Sequence, residues 1–351
     1  MDPREMLAAR LYEPGQPLRV ETVSVPEPRA HEVLVEVAAC GLCGTDVHLA
    51  VAGDIPVART PMTLGHEAAG VVVAVGASVT EVVCGQRVAL FPSAVCGHCR
   101  FCRAGRESLC EAAQVYGMTR DGALAQYVTA PAWCTVPIPD SVSDEHACIV
   151  TDGVATPFHA LRTRGALKAG EAVAIVGCGG LGTHAILLAR MMGAGFIAAI
   201  DVDATARDRA LRLGADCAID PMAEPNPAKV IHRHIARGVD LALEFVGRAD
   251  TVQTALRILD TGGRAVVVGV GPAMPELPPL VRFVGRELAV LGSFGMDRRD
   301  IVDLLRLIER GRLDIGASVT EVYPLAGVNE ALGRLARGES GVVRLVVAPN
   351  R

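Results

Sequence analysis

The sequence predicts an α/β protein: a doubly wound parallel sheet inserted into a second, mostly β domain. Three observations carry that expectation. From residue 154 to 291, short apolar runs alternate with helical ones, the pattern of a parallel sheet covered on both faces. Before residue 154, short β-type runs are separated by Gly and Pro. After residue 291 the alternation stops, and we expect the tail to rejoin the first domain. The expected domains are residues 1–153 with 292–351, and residues 154–291.

The elements follow in order. Val33–Val37, Gly70–Val75 and Arg87–Leu90 read as strands of the first domain. Val154 to Arg164 reads as a helix, and Lys168 to Glu171 as a turn. Ala172–Val176 is a buried strand, Leu181–Met192 a helix, Phe196–Ile200 a strand and Ala204–Leu213 a helix. Strands then fall at Cys217–Ile219, Leu241–Phe245, Arg264–Val268 and Leu288–Leu291, with a helix at Val252–Leu259. Ile301–Arg310 and Val328–Arg337 have the helical spacing of an amphipathic face, and Val342–Val347 closes the chain as a strand. The Pro-rich stretches Pro221–Pro227 and Pro272–Pro279 read as surface or interface loops.

Composition narrows the function classes. Half of the 351 residues are hydrophobic and 21% are charged, a globular balance. Aromatics make up 3%, so the cores must be built from Ala, Val, Leu and Ile. A net charge of −5 leaves no basic footprint for nucleic acid. The apolar runs are short and interrupted, which argues against a membrane-spanning helix. Met1-Asp-Pro-Arg-Glu5 lacks the basic start and apolar stretch of a secretory leader. Eleven cysteines, an odd number with several in apolar surroundings, suit the reducing cytoplasm.

Cys96, Cys99, Cys102 and Cys110 stand as two successive Cys-x-x-Cys steps and a return. Four thiolates at that spacing suit a tetrahedral structural zinc closed to substrate, with disulfides or free thiols as the alternative. Gly177-Cys-Gly179-Gly180-Leu181-Gly182 follows a strand and opens a helix. There Gly177 permits the tight turn, Gly179 lets backbone approach a pyrophosphate, and Gly182 lets helix and strand close. Asp201 ends the next strand, where a carboxylate holds both ribose hydroxyls and repels a 2′-phosphate, so NAD is expected over NADP. Asp203 fits better as the cap of the helix that follows. Cys43 and His66, with Asp46, His48 and Glu67, form a further group of metal-type side chains. Taken singly, Cys43 reads equally well as a small buried hydrophobe and His66 as a core histidine.

Together these motifs resemble the zinc-dependent alcohol dehydrogenase branch of the medium-chain dehydrogenase/reductase family. The resemblance runs from Cys43-Gly-Thr-Asp-Val-His48 and Gly65-His-Glu-Ala-Ala-Gly70 through the four-Cys run, Asp121 to Tyr127 and the Gly177 loop to Gly341-Val-Val-Arg344. It implies a Rossmann domain beside a GroES-like catalytic domain, two zincs per chain, NAD and a homodimer or homotetramer. In that family Cys43 and His66 would ligate a catalytic zinc, Thr45 and His48 would relay a proton, and Glu67 would sit beside the metal. Asp46 would orient the His66 ring, Arg344 would reach the pyrophosphate, Thr156 would touch the nicotinamide, and Val268 would line the cofactor.

One position departs from the commonest pattern. The third zinc ligand is often Cys, and here the matching residue is Asp152. A carboxylate is an ordinary zinc ligand. The alternatives are that Asp152 only caps a helix or that Cys148 ligates instead. The resemblance implies reversible oxidation of an alcohol to a ketone or aldehyde by hydride transfer to NAD, with the proton leaving through Thr45, the nicotinamide ribose and His48. A polyol, a thioester-activated substrate, or a non-catalytic NAD-binding zinc protein are the rivals. Phe91, Pro92 and Trp133 read either as cleft lining or as ordinary core.

Overall fold

The computed structural model describes residues 4–272 and 274–351. The chain packs as two compact units. One runs to Ala155 and resumes over Asp297–Arg351; the other is Thr156–Met296.

The first unit is built on a seven-stranded sheet. Its path runs through Thr135–Pro137, Arg87–Leu90, Glu67–Val75, Glu32–Leu42, Arg344–Ala348 and Val319–Pro324, and Tyr127–Pro131 also pairs with Glu32–Leu42. Val33, Val35 and Val37 alternate into a core that holds Leu42, Leu49, Leu64, Leu345 and Val347. The tail strand Arg344–Ala348 lies antiparallel to Glu32–Leu42, with Leu345 opposite Leu42. The end of the chain thus completes the sheet that its beginning started. A three-stranded sheet of Arg19–Ser24, Glu5–Leu11 and Met62–Thr63 is separate from it.

The second unit is a six-stranded, all-parallel sheet in the order Cys217–Ile219, Phe196–Ile200, Ala172–Val176, Val239–Glu244, Leu259–Val267 and Ala289–Gly292. Numbered along the chain, that order is 3-2-1-4-5-6, the doubly wound Rossmann arrangement with its switch point beside the first strand. Ala172–Val176 is buried along its whole length, as expected for a strand covered on both faces.

The structure departs from the sequence expectation in three places. The helix expected at Val252–Leu259 spans Ala249–Arg257, and the next strand starts at Leu259, not Arg264. Thr261-Gly-Gly263 reads as a turn, but a register shift opposite Val239 and Leu241 absorbs it inside the strand. The helix expected from Val154 begins at Asp144 and continues through π-helical turns at Val150–Val154 and Ala160–Arg164. Pro157, which has no N–H to give, lies between those turns. The stretch from Pro221 ends at Pro227, which opens an unanticipated helix, Pro227–Ile235, at a position where Pro fits. In the Pro272–Pro279 loop Ala273 lies outside the described residues, and Met274 to Leu277 are exposed. No helix among the described residues is long and apolar enough to cross a membrane.

Candidate metal centre and dinucleotide loop

Strand register collects the first cluster. Glu32–Leu42 ends beside Cys43, Glu67 opens its strand opposite Gly41, and Arg344 opens the tail strand next to Leu345, which pairs with Leu42. Asp152 arrives from the π-helical turn Val150–Val154, an irregularity common where function bends a helix. It lies inside a helical run that starts at Asp144 and is capped by Ser143, so it is not a helix cap.

Ligand atoms of Cys43, His66, Glu67 and Asp152 all lie within 4.8 Å of one another. Asp152 Oδ2 is 3.3 Å from Cys43 Sγ and 3.4 Å from His66 Nε2. Ligands held about 2.0–2.3 Å from one tetrahedral zinc lie about 3.3–3.8 Å apart, so the donor set and spacing fit that ion. Asp46 is fully buried behind them. Its Oδ2 accepts the Cys43 N–H at 2.9 Å, and its Oδ1 stands 3.9 Å from His66 Nδ1. The carboxylate thus holds the Cys43 backbone by a hydrogen bond and faces the His66 ring as a charge, beyond hydrogen-bond reach.

The electrostatics match a site made for a cation. Burial pushes the Cys43 thiol up, and the Asp152 charge adds to the rise. Burial opposes charge on His66, but Asp152 and Cys43 outweigh it and hold the imidazole well above its usual range. Burial pushes Glu67 up to about 7, while the Arg344 guanidinium pulls it back. Arg344 and Glu67 form a buried ion pair, and the carboxylate keeps the guanidinium charged against the cost of burial. The resemblance put Arg344 at a pyrophosphate; its guanidinium lies against Glu67.

The second cluster is a closed lobe. The ribbon of Ser93–Ala94 with Gln114–Val115 ties its base, and Cys96, Cys99, Cys102 and Cys110 hang from it. Their sulfurs lie within 4.8 Å of one another, with Cys96 at 3.9 Å from Cys102 and 3.6 Å from Cys110. Those separations are far too long for a disulfide, which spans about 2.05 Å, and close to the about 3.8 Å edge of a zinc–thiolate tetrahedron. Backbone N–H groups aim at the sulfurs, Cys99 at Cys96 at 3.3 Å and Cys102 at Cys99 at 3.5 Å. Such donors lower Cys96 and bring Cys99 down to about 6. Burial and the neighbouring thiols push Cys102 up.

In the second unit, Gly177 takes φ of +88°, and a Cβ on Gly182 would collide with its carbonyl. The helix Gly180–Met191 starts at Gly179, whose missing side chain faces open space. Asp201 accepts the Cys178 N–H at 2.6 Å and the Asp203 N–H at 2.8 Å. Asp203 caps the helix Ala204–Arg212, accepting from Thr205 and Ala206. Arg209, which the sequence did not single out, ties Cys178 O and Thr183 Oγ1 to that helix. Val268 is nearly buried, and its N–H donates to Glu244 O at 2.8 Å. Thr156, also buried, opens the unit.

The remaining candidates divide. Thr45 Oγ1 lies 3.7 Å from Cys43 Sγ, at the metal cluster. His48 is half-exposed and pairs with Asp54, a partner no motif announced. Cys148 is buried, gives its thiol hydrogen to Glu145 O at 3.2 Å, and stands outside the cluster. Phe91 and Trp133 border a cavity of about 440 Å³ beside the four-Cys lobe. Trp133 donates to Val95 O at 2.9 Å and its ring lies beside Gly97, so it serves the lobe. Pro92 is buried and accepts the Tyr116 N–H through its carbonyl.

Residues 29–140 match the alcohol dehydrogenase GroES-like domain, and residues 180–310 match the zinc-binding dehydrogenase domain. An alcohol dehydrogenase of Geobacillus stearothermophilus is 35% identical over 95% of this chain and 97% of its own. A sorbitol dehydrogenase of Bacillus subtilis is 32% identical over 99% of both. A solved zinc-binding dehydrogenase from Sinorhizobium meliloti, bound to NADP, superposes with a TM-score of 0.88 at 33% identity over 98% of this chain and 99% of that one.

Replacing Cys96 by Ser should remove one zinc per chain and lower the thermal midpoint by roughly 10 °C, because a structural metal site contributes its binding energy to folding. Unchanged zinc content and an unchanged melting curve would contradict the assignment of this lobe.

Proposed function

The chain belongs to the zinc-dependent alcohol dehydrogenase family of medium-chain dehydrogenases/reductases, and from that membership we propose an NAD-linked enzyme whose catalytic zinc is held by Cys43, His66 and Asp152. The observation that carries this reading is the convergence of Cys43 Sγ and His66 Nε2 on Asp152 Oδ2 at 3.3 and 3.4 Å. Three protein donors leave one zinc position for a substrate, whereas four cysteines leave none. A zinc ion bound there supplies Lewis acidity to an alcohol oxygen, while a bound nicotinamide carries the hydride between alcohol and ketone or aldehyde.

The chain's own residues do the rest. Thr45 offers its hydroxyl beside the metal pocket to take the alcohol proton. His48, half-exposed, passes it to water. Asp46 faces the His66 ring with its charge, and the buried Arg344 balances Glu67 so that the pocket does not accumulate negative charge. Gly177, Gly179, Gly180, Leu181 and Gly182 would cradle the pyrophosphate at the N-terminus of Gly180–Met191. Asp201 supports NAD over NADP, since its charge would face a 2′-phosphate. The NADP-bound relative makes cofactor choice the point to measure. A polyol is the second substrate reading, supported by the likeness to a sorbitol dehydrogenase over nearly the full length.

Association of two copies at the edge of the parallel sheet is part of the same reading. Ala289–Gly292 is an end strand, and Leu280, Val281, Val284 and Phe294 near it are each more than 60% exposed, with Val281 at 85%. Such a patch is expensive to leave in water. Sedimentation should show a dimer or tetramer at micromolar concentration; a monomer there would contradict this.

Asp152→Asn should remove the zinc of this cluster, leave that of the four-Cys lobe, and cut kcat/KM by about 100-fold or more. Cys148→Ser should keep both metals. The reverse pattern would move the third ligand to Cys148.

Mixing the zinc-loaded chain with NAD⁺ or NADP⁺ and ethanol, 2-propanol, 2,3-butanediol or sorbitol tests the activity directly. NAD⁺ should be the cofactor reduced, and Asp201→Ala should raise its KM about tenfold while narrowing the gap to NADP⁺. Equal use of both by the parent would sink the cofactor assignment, and no reduction with any of the alcohols would sink the substrate class.

A further inference from the structure

His48 opens the five-residue π-helical turn His48–Ala52, closed by the Gly53 N–H to His48 O at 2.8 Å. Gly53 takes φ of +70°, a left-handed conformation that turns the chain back on itself. Asp54, the next residue, is thereby returned to the imidazole. Its Oδ1 and Oδ2 lie 2.9 and 3.1 Å from His48 Nδ1. Both side chains are close to half exposed, at 43% and 49%.

An ionised carboxylate only accepts hydrogen bonds, so the nitrogen between its two oxygens must carry a hydrogen. With Nδ1 protonated, the neutral ring presents a free lone pair at Nε2. The tautomer of a histidine is set by the bond its other nitrogen makes. We infer that Asp54 is a positioning residue for proton release: it holds His48 as the Nδ1–H tautomer and so leaves Nε2 as the acceptor. This rests on the reading that His48 ends the proton path. One proton arrives at Nε2 per alcohol oxidised, the imidazolium is held against the Asp54 carboxylate, and the same proton leaves Nε2 for water. The ring then returns to the Nδ1–H form. An exposed pair of this kind adds little to stability, so its effect belongs to the orientation and proton state of the ring.

The experiment labels the histidines of the zinc-loaded chain with ¹⁵N and reads the ring nitrogens by long-range proton–nitrogen correlation, His48 being assigned by its loss in H48Q. The parent should show His48 as Nδ1–H. D54A should shift it toward the Nε2–H form, and D54N, which keeps an acceptor oxygen, should fall between them. With NAD⁺ and whichever of the four alcohols is oxidised fastest, D54A should lower kcat about threefold with little change in the KM for NAD⁺. In an H48Q background D54A should change nothing further. An unaltered tautomer and unaltered kcat in D54A, with H48Q impaired, would overturn the role of Asp54 and leave His48 in place. Parental kcat in H48Q would instead overturn the proton path, and the role of Asp54 with it.

Discussion

Burying Glu67 and Asp46 in one unit puts two carboxyl groups where solvent cannot relieve a charge. The first unit is arranged to meet that constraint. Arg344 is brought in on the tail strand to face Glu67, and backbone N–H from Cys43 faces Asp46. Unpaired, a charge in such surroundings costs several kcal/mol, so breaking the Glu67–Arg344 pair is a more severe change than never having had it. A divalent cation held by Cys43, His66 and Asp152, as proposed, would add further compensation. Ion pair and sheet therefore depend on one another: the register that pairs Leu345 with Leu42 is also what sets the counter-ion in place.

Much of the second unit was legible in the sequence because its strands are short, apolar and buried on both faces. Ala172–Val176, Phe196–Ile200 and Cys217–Ile219 are bounded by turn residues and have no competing reading. The failures lie where local composition and tertiary pairing disagree. Thr261-Gly-Gly263 carries turn chemistry, and Gly262 does take φ of +74°, yet the stretch is only a register shift, because the strand resumes at Arg264 against both neighbouring strands. The helical run through Asp152 holds a Gly and a Pro that argue for a break, and π-helical turns accommodate them instead.

The site was legible in its residue types more than in its contacts. The four cysteines declared themselves by spacing, whereas Cys43, His66 and Asp152 gained their roles from a resemblance. The partners that tune them are distant in sequence or chemically ordinary. Arg344 is 277 residues from Glu67, and no periodicity links the two. Asp54 sits in a loop where an Asp needs no special reason. Trp133, the one tryptophan, read equally as cleft lining or ordinary core, and the lobe claims it through the carbonyl of Val95.

The tail strand also has a consequence for how the protein is made. A ribosome releases Glu67 long before Arg344, and every residue of the second unit emerges in between. Local pairings close early, whereas a contact across 277 residues waits for nearly the whole chain. The parallel sheet has all its strands while the nascent first unit still lacks the strand beside Leu42. Until that strand arrives Glu67 has no guanidinium to face and remains hydrated or protonated. The Glu67–Arg344 pair is thus a late, post-synthetic contact, and a chain cut short before its last strand would carry Cys43, His66 and Asp152 without the counter-ion that Glu67 faces.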